Sequence, residues 1–282
     1  MATIPPSYSS DAYEPRNLAI SPDGTGIAVP FRHSDNVWVI EKDTWTSVMV
    51  EDVSFYEPYA ATYTLDGTEI WVVNKKGAGS SIGSITIINA ASLQVIASIE
   101  DTSFSSPEGI TVNDTHAFVV NKGDGSVARV NISTRLVDGL VNVGGEPRYA
   151  VVSPDNTFLY VSAPYSGIYK IRTSDLAILA NYTESLYSRN MAISSDGSVV
   201  YTALQNNSIL TIDTSSGNTS TISFTGAGST YGVALIERTG RGYVTDEWWD
   251  RIYVFDLVSG QELPGELIDI TELNTPRSIA GR

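Results

Sequence analysis

The chain has 282 residues, of which 42% are hydrophobic and 17% are charged, a balance typical of one folded globular domain. Its 32 acidic and 17 basic residues give a net charge of −15, and such a surface repels phosphate backbones and anionic lipids. We therefore expect no nucleic-acid partner and no membrane partner; no run of about 18 apolar residues exists to span a bilayer. Cysteine is absent, which excludes disulfides, thiol nucleophiles and thiolate metal sites.

A short phrase recurs along the chain: a small polar lead-in, often followed by Pro, then one large side chain and an apolar strand. Its seven copies begin at Glu14, Glu57, Ser106, Glu146, Tyr187, Ser229 and Thr275. The large residues of these copies are Arg16, Tyr59, Glu108, Arg148, Arg189, Tyr231 and Arg277. The spacing of roughly 40 to 50 residues is the period of a four-stranded propeller blade.

Each phrase opens a unit with four short runs rich in Val, Ile, Tyr and Thr, which predicts four antiparallel strands. The fourth unit shows them most clearly, at Tyr149–Ser153, Phe158–Ser162, Gly167–Arg172 and Leu176–Asn181. Turns of the type Ser21-Pro22-Asp23-Gly24 join the first two runs, because Pro presets φ and Gly accepts positive φ. No stretch has a sustained 3.6-residue apolar period, so we expect almost no helix.

One four-stranded sheet cannot bury both of its faces, whereas radially packed copies bury each face against a neighbour. We therefore predict an all-β, six-bladed β-propeller that forms a single domain over residues 1–282. Its blades span about 15–55, 56–104, 105–145, 146–185, 186–228 and 229–272, with 273–282 as a closing strand. The seventh phrase leaves a seven-bladed ring with one reduced blade as the alternative.

Several second-strand motifs resemble those of YVTN-repeat propellers: Trp71-Val72-Val73-Asn74, Phe118-Val119-Val120-Asn121, Tyr160-Val161-Ser162 and Tyr243-Val244-Thr245-Asp246. The combined pattern, over nearly the whole chain, also resembles the group that holds the SMP-30 (gluconolactonase-like) and NHL propellers. This resemblance implies the fold rather than the activity. The SMP-30 likeness implies a divalent metal held by oxygen ligands, but among these phrase positions only Glu108 keeps one. Guanidinium groups at Arg148 and Arg189 would repel a dication, so we expect no metal and no cofactor.

In a propeller, the loops before the first strand and after the second strand surround one mouth of the central channel. We interpret Arg148, Arg189, Tyr231 and Glu108 as a catalytic group, because arginines at one repeat position focus positive potential in an acidic protein. The expected substrate-binding residues are Arg16, Tyr59, Arg277, Phe31, His33, Tyr165, Trp248 and Trp249. Two adjacent Trp residues cannot both face inward, so we expect at least one to meet solvent or ligand. The alternative is structural: Arg and Glu that bridge blades, which fits Arg16 or Arg277 best.

The chain has only two histidines, His33 and His116, and no Ser-His-Asp elbow, HExxH, phosphate cradle or EF-hand. Donors, aromatics and one carboxylate suit a reaction that needs a carbonyl or enone to be oriented and polarised. In this respect the chain resembles, as a class, the hetero-Diels–Alderase propellers of fungal natural-product pathways. We expect a cofactor-free cyclase or pericyclase acting on a small molecule. The alternatives are an SMP-30-like metal-dependent lactonase or esterase and a non-catalytic propeller that binds a ligand or a protein.

Five glycosylation sequons occur, at Asn113, Asn131, Asn181, Asn206 and Asn218. Residues 1–11 contain no apolar h-region, so we expect no signal peptide in this sequence. Together these features favour a secreted or secretory-pathway glycoprotein whose signal has been removed, with a cytoplasmic protein as the alternative.

Overall fold

The computed structural model describes residues 15–77, 82–182, 187–269 and 279. Their strands form six antiparallel sheets, and each sheet contains four strands that are consecutive in sequence. Two short 3-10 helices, Glu237–Thr239 and Pro264–Glu266, are the helical segments of these ranges. The all-β, six-bladed propeller predicted from the repeats is thereby confirmed, and the described residues form no seventh blade. In the same ranges no helix is long and apolar enough to cross a membrane.

The chain divides into two compact units, Met1–Asn142 and Val143–Arg282, with three blades in each. In unit 1, blade 1 has β1 (Ala19–Ile20), β2 (Gly26–Phe31), β3 (Asn36–Glu41) and β4 (Ser47–Glu51). Blade 2 has β5 (Pro58–Tyr63), β6 (Glu69–Asn74), β7 (Ser84–Asn89) and β8 (Val95–Glu100). Blade 3 has β9 (Pro107–Val112), β10 (His116–Asn121), β11 (Ser126–Asn131) and β12 (Val137–Asn142).

In unit 2, blade 4 has β13 (Tyr149–Val152), β14 (Phe158–Ala163), β15 (Gly167–Arg172) and β16 (Ile178–Asn181). Blade 5 has β17 (Ser188–Ile193), β18 (Val199–Leu204), β19 (Ser208–Asp213) and β20 (Thr219–Ser223). Blade 6 has β21 (Thr230–Ile236), β22 (Arg241–Asp246), β23 (Arg251–Asp256) and β24 (Ile268–Asp269). The closing strand over 273–282 lies outside the described residues except for Ile279, and the single-domain assignment stays a prediction.

The core of unit 1 follows from the two-residue period of a strand. In β6, Ile70 and Val72 pack towards blade 1, whereas Trp71 and Val73 pack towards blade 3. All four side chains are fully buried, so the strand reads in the sequence as an unbroken apolar run. Unit 2 repeats the arrangement in β18, whose alternate residues pack towards blade 4 and towards blade 6.

The hairpins between the third and fourth strands share a left-handed residue that the sequence patterns do not predict. It lies at one equivalent position in every blade: Trp45 (φ 56°), Leu93 (φ 56°), Arg135 (φ 58°), Leu176 (φ 60°), Gly217 (φ 75°) and Gly260 (φ 64°). A residue with a Cβ is strained in this conformation, by roughly 1–2 kcal/mol, whereas glycine is not. Four blades therefore keep a strained residue at a turn where two blades use glycine.

Replacing Trp45 with glycine should stabilise the protein by about 1 kcal/mol, because the exposed indole contributes little packing and its backbone strain is removed. Urea denaturation of Trp45→Gly against the parent protein measures this change. The reciprocal variant, Gly260→Ala, should lose a similar amount, since its Cβ would meet Ile222 only at an ordinary 3.6 Å. Unchanged unfolding free energies in both variants would contradict the assignment of strain.

Candidate functional site

The large residues of four opening phrases lie at β-bulges. In blade 3, β10 pairs Asn121 with Pro107 and Val120 with Gly109, so Glu108 between them has no partner in the ladder. The same shift leaves out one or two residues in three other blades, at Tyr59, at Arg189-Asn190 and at Tyr231-Gly232. A bulge bends the strand and redirects the extra side chain, which is why bulges are common beside active sites.

The lead-in residue of the opening phrase has a left-handed backbone in four blades: Glu57 (φ 50°), Ser106 (φ 47°), Glu146 (φ 54°) and Tyr187 (φ 48°). The first three precede Pro, which normally favours an extended conformation in the residue before it. Such strain persists only where surrounding structure holds it in place, and it concentrates at functional sites. The repeated phrase therefore sets a strained backbone conformation and also marks the start of a strand.

Arginine and tyrosine from neighbouring blades stack at this repeat position. Arg16 Cζ lies 5.0 Å from the centre of the Tyr59 ring in unit 1, and Arg189 Cζ lies 5.0 Å from the centre of the Tyr231 ring in unit 2. Both tyrosines are only 5% exposed, so each stack joins an arginine of one blade to the covered ring of the next. The structure therefore brings these predicted residues together in pairs, and part of their role is to bridge blades.

Glu108 is held by lysines. Its carboxylate is 2% exposed, and Oε1 lies 2.7 Å from Lys75 Nζ and 4.0 Å from Lys122 Nζ. Lys75 Nζ also lies 5.1 Å from the centre of the Tyr59 ring. Glu108 is the one oxygen ligand that these repeat positions keep, and lysine ammonium groups already surround it. Because these cations would repel a dication, the position does not fit a divalent metal of the SMP-30 type. In the described ranges, no group of three or more His, Asp or Glu residues lies close enough to hold a metal ion.

A second carboxylate of unit 1, Glu57, joins blade 1 to blade 2. Arg32 donates to its Oε2 through Nε at 3.0 Å and Nη2 at 2.7 Å, and Lys76 Nζ lies 2.5 Å from its Oε1. The Glu57 backbone N–H donates to Asp35 Oδ1 at 2.7 Å. Burial alone would raise the pKa of Glu57, but hydrogen bonds from Lys76 and Arg32 outweigh it and lower the pKa to about 2.

This lowered pKa predicts a loss of stability in acid. Glu57 contributes its full stabilisation above its ordinary pKa of 4.5, and the contribution is lost as pH falls from there towards 2. The difference in unfolding free energy between the parent protein and Glu57→Gln should therefore be largest near neutral pH and shrink in acid. Urea denaturation across this pH range measures it, with Glu51→Gln on the outer strand as the matched control. A difference that stays constant with pH would contradict the linkage.

Three blades of unit 2 converge on Tyr231. The hydroxyl of Tyr149 in blade 4 donates to the Tyr231 hydroxyl at 3.0 Å, with the rings edge to face at 6.3 Å, and Arg189 of blade 5 covers the Tyr231 ring. The Nε atom of Arg189 is buried and has no hydrogen-bond partner among the residues that the structure describes. Arg148 contacts Glu146, with Nη2 3.4 Å from Oε2. The sequence patterns did not indicate Tyr149 as a site residue, because they predict only that it begins a strand.

The predicted aromatic residues divide into exposed and buried ones. Trp248 and Trp249 are 64% and 56% exposed, so both meet solvent. Tyr165 is half-exposed and packs edge to face on Tyr187, with ring centres 5.3 Å apart. Phe31, by contrast, is buried against Trp38 and belongs to the packing of blade 1. His33 is exposed in the loop after β2, and Arg277 lies outside the described residues.

Asp246 organises the loop that carries the two Trp residues. It is fully buried, and its carboxylate accepts hydrogen bonds from Trp248 N at 2.9 Å, Gly228 N at 2.7 Å and Ser229 N at 3.2 Å. Asn121 plays the same part in blade 3, where its amide oxygen accepts from Ser105 N. The end of the second strand is therefore a polar anchor for the lead-in of its own blade.

Replacing Asp246 with asparagine should destabilise the protein by about 2 kcal/mol, the range of a hydrogen bond to a charged group. The new amide nitrogen cannot accept from Gly228 N–H, so two donors would face each other in a buried place. Chemical denaturation measures the loss, and tryptophan fluorescence reports the change at Trp248 and Trp249. Parent-like stability together with an unaltered emission spectrum would contradict the anchoring role.

Three cavities between neighbouring blades lie at the ends of the blades opposite the opening phrases. One of about 410 Å³ lies between blades 2 and 3 and is lined by Asp66, Glu69 and Arg135 among others. Cavities of about 320 Å³ and 260 Å³ lie between blades 1 and 2 and between blades 4 and 5. None of these three is lined by a predicted site residue.

Comparisons with known proteins identify the fold. No family model and no curated protein matches the chain. Several solved propellers match its structure. Virginiamycin B lyase from Staphylococcus aureus is 14% identical with a TM-score of 0.78, and the match covers 97% of this chain and 90% of that one. A functionally unknown protein from Desulfotomaculum acetoxidans is 16% identical with a TM-score of 0.76, covering 96% of this chain and 93% of that one, and hydrazine synthase from Kuenenia stuttgartiensis is 16% identical with a TM-score of 0.75, covering 91% and 80% respectively. At these identities the likeness shows the β-propeller fold, and the chain is similar in fold to proteins named as enzymes.

Proposed function

We propose that the protein is a cofactor-free enzyme that guides the cyclisation of a reactive small molecule, a cyclase or pericyclase of the hetero-Diels–Alder type. One observation carries the proposal: Arg189 Nε is buried without a hydrogen-bond partner among the described residues, on a guanidinium held against Tyr231. Buried N–H groups are nearly always paired. A carbonyl oxygen of a bound substrate would supply the missing acceptor.

The chemistry follows from a fixed donor. A guanidinium that donates to the oxygen of an enone or quinone methide withdraws electron density from it and lowers the barrier to cycloaddition with an alkene. In such a reaction two new bonds form within the substrates, and no proton or electron has to leave them. Orientation and polarisation therefore suffice. The bulge at Arg189 and its contact with Tyr231 preset the direction of the donor before substrate binds.

The apolar part of such a substrate needs a surface of its own. The exposed Trp248 and Trp249, in the same unit as Arg189, are the candidate wall for an alkene or terpenoid partner. Arg148, with a side chain only partly covered, is a second candidate donor in that unit. Tyr165, also exposed there, is a further candidate aromatic contact.

The alternatives have different support. Fold similarity to proteins named as a lyase and a synthase favours a catalytic role, although neither name describes a cycloaddition. The lactonase alternative is disfavoured because Lys75 occupies the carboxylate of Glu108. A non-catalytic binding propeller is the second candidate, because Arg16 and Arg189 both bridge neighbouring blades. The likeness to YVTN, SMP-30 and Diels–Alderase propellers stays a prediction.

We propose the secretory pathway as the location. Of the sequons, those at Asn181, Asn206 and Asn218 are exposed. The amide nitrogen of Asn181 donates to the Ser166 carbonyl at 2.8 Å, so Asn206 and Asn218 are the preferred candidate glycan acceptors. Asn113 is buried and its oxygen accepts from the backbone N–H groups of Thr115 and His116, so we expect no glycan there.

The enantioselectivity of the product tests the proposed enzymatic activity. Enone or quinone-methide precursors incubated with alkenes give racemic adducts without a catalyst, so chiral chromatography detects enzymatic cyclisation above that background. Arg189→Ala should reduce the enzymatic rate by about 100-fold, as for other preorganised donors. Arg172→Ala, which removes an exposed arginine of blade 4, should leave the rate unchanged.

Thermal unfolding of each variant separates loss of activity from loss of folding, and Tyr231→Phe offers a milder change in the same cluster. Racemic product from the parent protein with every substrate pair would overturn the proposal. Ligand that binds and is recovered unchanged would instead support the binding propeller.

A further inference from the structure

The cavity between blades 4 and 5 of unit 2 combines aromatic rings with charged groups of both signs. Phe158 and Tyr160 of β14 and Lys170 of β15 line it from within blade 4. Asp155 and Asp196 line it from equivalent turns, those between the first and second strands of the two blades. Its volume of about 260 Å³ is below the roughly 300–1,000 Å³ of most ligand pockets, so it suits a small molecule.

The ammonium group of Lys170 is held in place without an anionic partner. Its Nζ donates to the Thr214 carbonyl oxygen at 3.0 Å and lies 4.1 Å from the centre of the Phe158 ring and 5.7 Å from that of Tyr160. In the described ranges Lys170 forms no ion pair with a carboxylate. An ammonium group has three N–H donors, so it can still donate to an anionic group that enters the cavity.

The equivalent cation of blade 3 does have a carboxylate partner. Arg129 occupies the position of Lys170 in the third strand of that blade, and its Nε lies 2.8 Å from Asp138 Oδ1. Asp138 lies at the register shift of its outer strand, and the residue at the same shift in blade 4 is Leu179. Blade 4 therefore lacks the side chain that neutralises this position in blade 3.

The two aspartates use one oxygen each to hold their turns. Asp155 Oδ1 accepts from Ser153 Oγ at 2.5 Å and from Thr157 N at 3.0 Å, and Asp196 Oδ1 holds the equivalent turn of blade 5. The serine hydroxyl, Ser153 or Ser194, is in each case the largest cause of a lowered pKa, which falls to about 2 in Asp196. Both carboxylates are therefore charged at neutral pH, and the Oδ2 atom of each remains for a ligand.

The equivalent cavity of unit 1 pairs its charges internally. Between blades 2 and 3, Arg135 Nη2 donates to Glu69 Oε1 at 2.9 Å. In unit 2 the residues at these two repeat positions are Gly217 and Phe158, which carry no charge. The cavity of unit 2 therefore keeps a cation and two carboxylates that are not joined to each other by an ion pair among the residues described.

We propose that this cavity binds a free α-amino acid, with Lys170 Nζ donating to its carboxylate and with Asp155 and Asp196 accepting from its ammonium group. A ligand that carries only a negative charge would meet the two aspartates, and one that carries only a positive charge would meet the lysine. A zwitterion places each of its charges beside the opposite one. The inference goes beyond the proposed reaction, because no residue of the Arg189 site lines this cavity.

Calorimetric titration with L-alanine and L-leucine tests the site. Each probe has two analogues that keep only one of its charges: propionate and ethylamine for L-alanine, and 4-methylpentanoate and 3-methylbutylamine for L-leucine. We expect saturable binding of at least one amino acid, at least tenfold tighter than that of either of its analogues.

Variants assign the two charges. Lys170→Gln should weaken binding of the amino acid by about tenfold, and so should Asp196→Asn, which keeps an Oδ1 acceptor for the turn. The matched controls are Arg172→Gln, which removes an exposed cation of β15 that pairs with Asp175, and Asp213→Asn, which changes a turn aspartate outside the cavity. Thermal unfolding shows whether each variant is folded, and Asp196→Asn tests the site even if Lys170→Gln does not fold.

An analogue that binds as tightly as its amino acid would overturn the zwitterion assignment. An equal loss in the control variants would show a general effect of charge and overturn the site. Absence of saturable binding for both amino acids at concentrations of about 10 mM would also overturn it. Because binding is measured rather than turnover, each of these failures leaves the Arg189 proposal to its own test.

Discussion

The middle blade of each unit has two apolar faces, and a neighbouring blade of the same unit covers each of them. The constraint is visible in β6, where Ile70 and Val72 face one neighbour and Trp71 and Val73 face the other. A strand buried on both faces supplies most of the stabilisation, at roughly 25 cal/mol per Å² of apolar surface removed from water. The turns, bulges and polar anchors all occur where strands end, because the interior of each sheet has no room for them.

The ends of the strands therefore carry the chemistry, and the same repeat position serves different purposes in the two units. In unit 1 it holds Tyr59 and Glu108, and lysines from the second-strand loops neutralise the buried carboxylate. In unit 2 it holds Arg189 and Tyr231, and a second tyrosine, Tyr149, completes a hydrogen-bonded cluster. Burying Glu108 without Lys75 would cost several kcal/mol, so the two positions depend on each other.

Alignment of the repeats identified the position of the candidate site but not its contacts. It placed Arg16, Tyr59, Arg189 and Tyr231 at equivalent points, and the structure stacks them in pairs. It did not indicate the bulges that redirect Tyr59, Arg189 and Tyr231, since a bulge depends on pairing with a neighbouring strand. It also could not show that Phe31 is buried while Trp248 and Trp249 are exposed, because all three are large aromatics that follow or end a second strand.

The sequence by itself determined the antiparallel strands of each blade and their turns, and it favoured six blades over seven. These features arise from local periodicity and turn chemistry, which repeat every 40 to 50 residues or so and can be read without knowing any distant contact. Only the tertiary structure decided that Lys75 binds Glu108, that Arg32 binds Glu57 and that Tyr149 meets Tyr231. Each of these contacts joins residues of different blades, 25 to 82 positions apart, and their geometry is set by how the sheets pack.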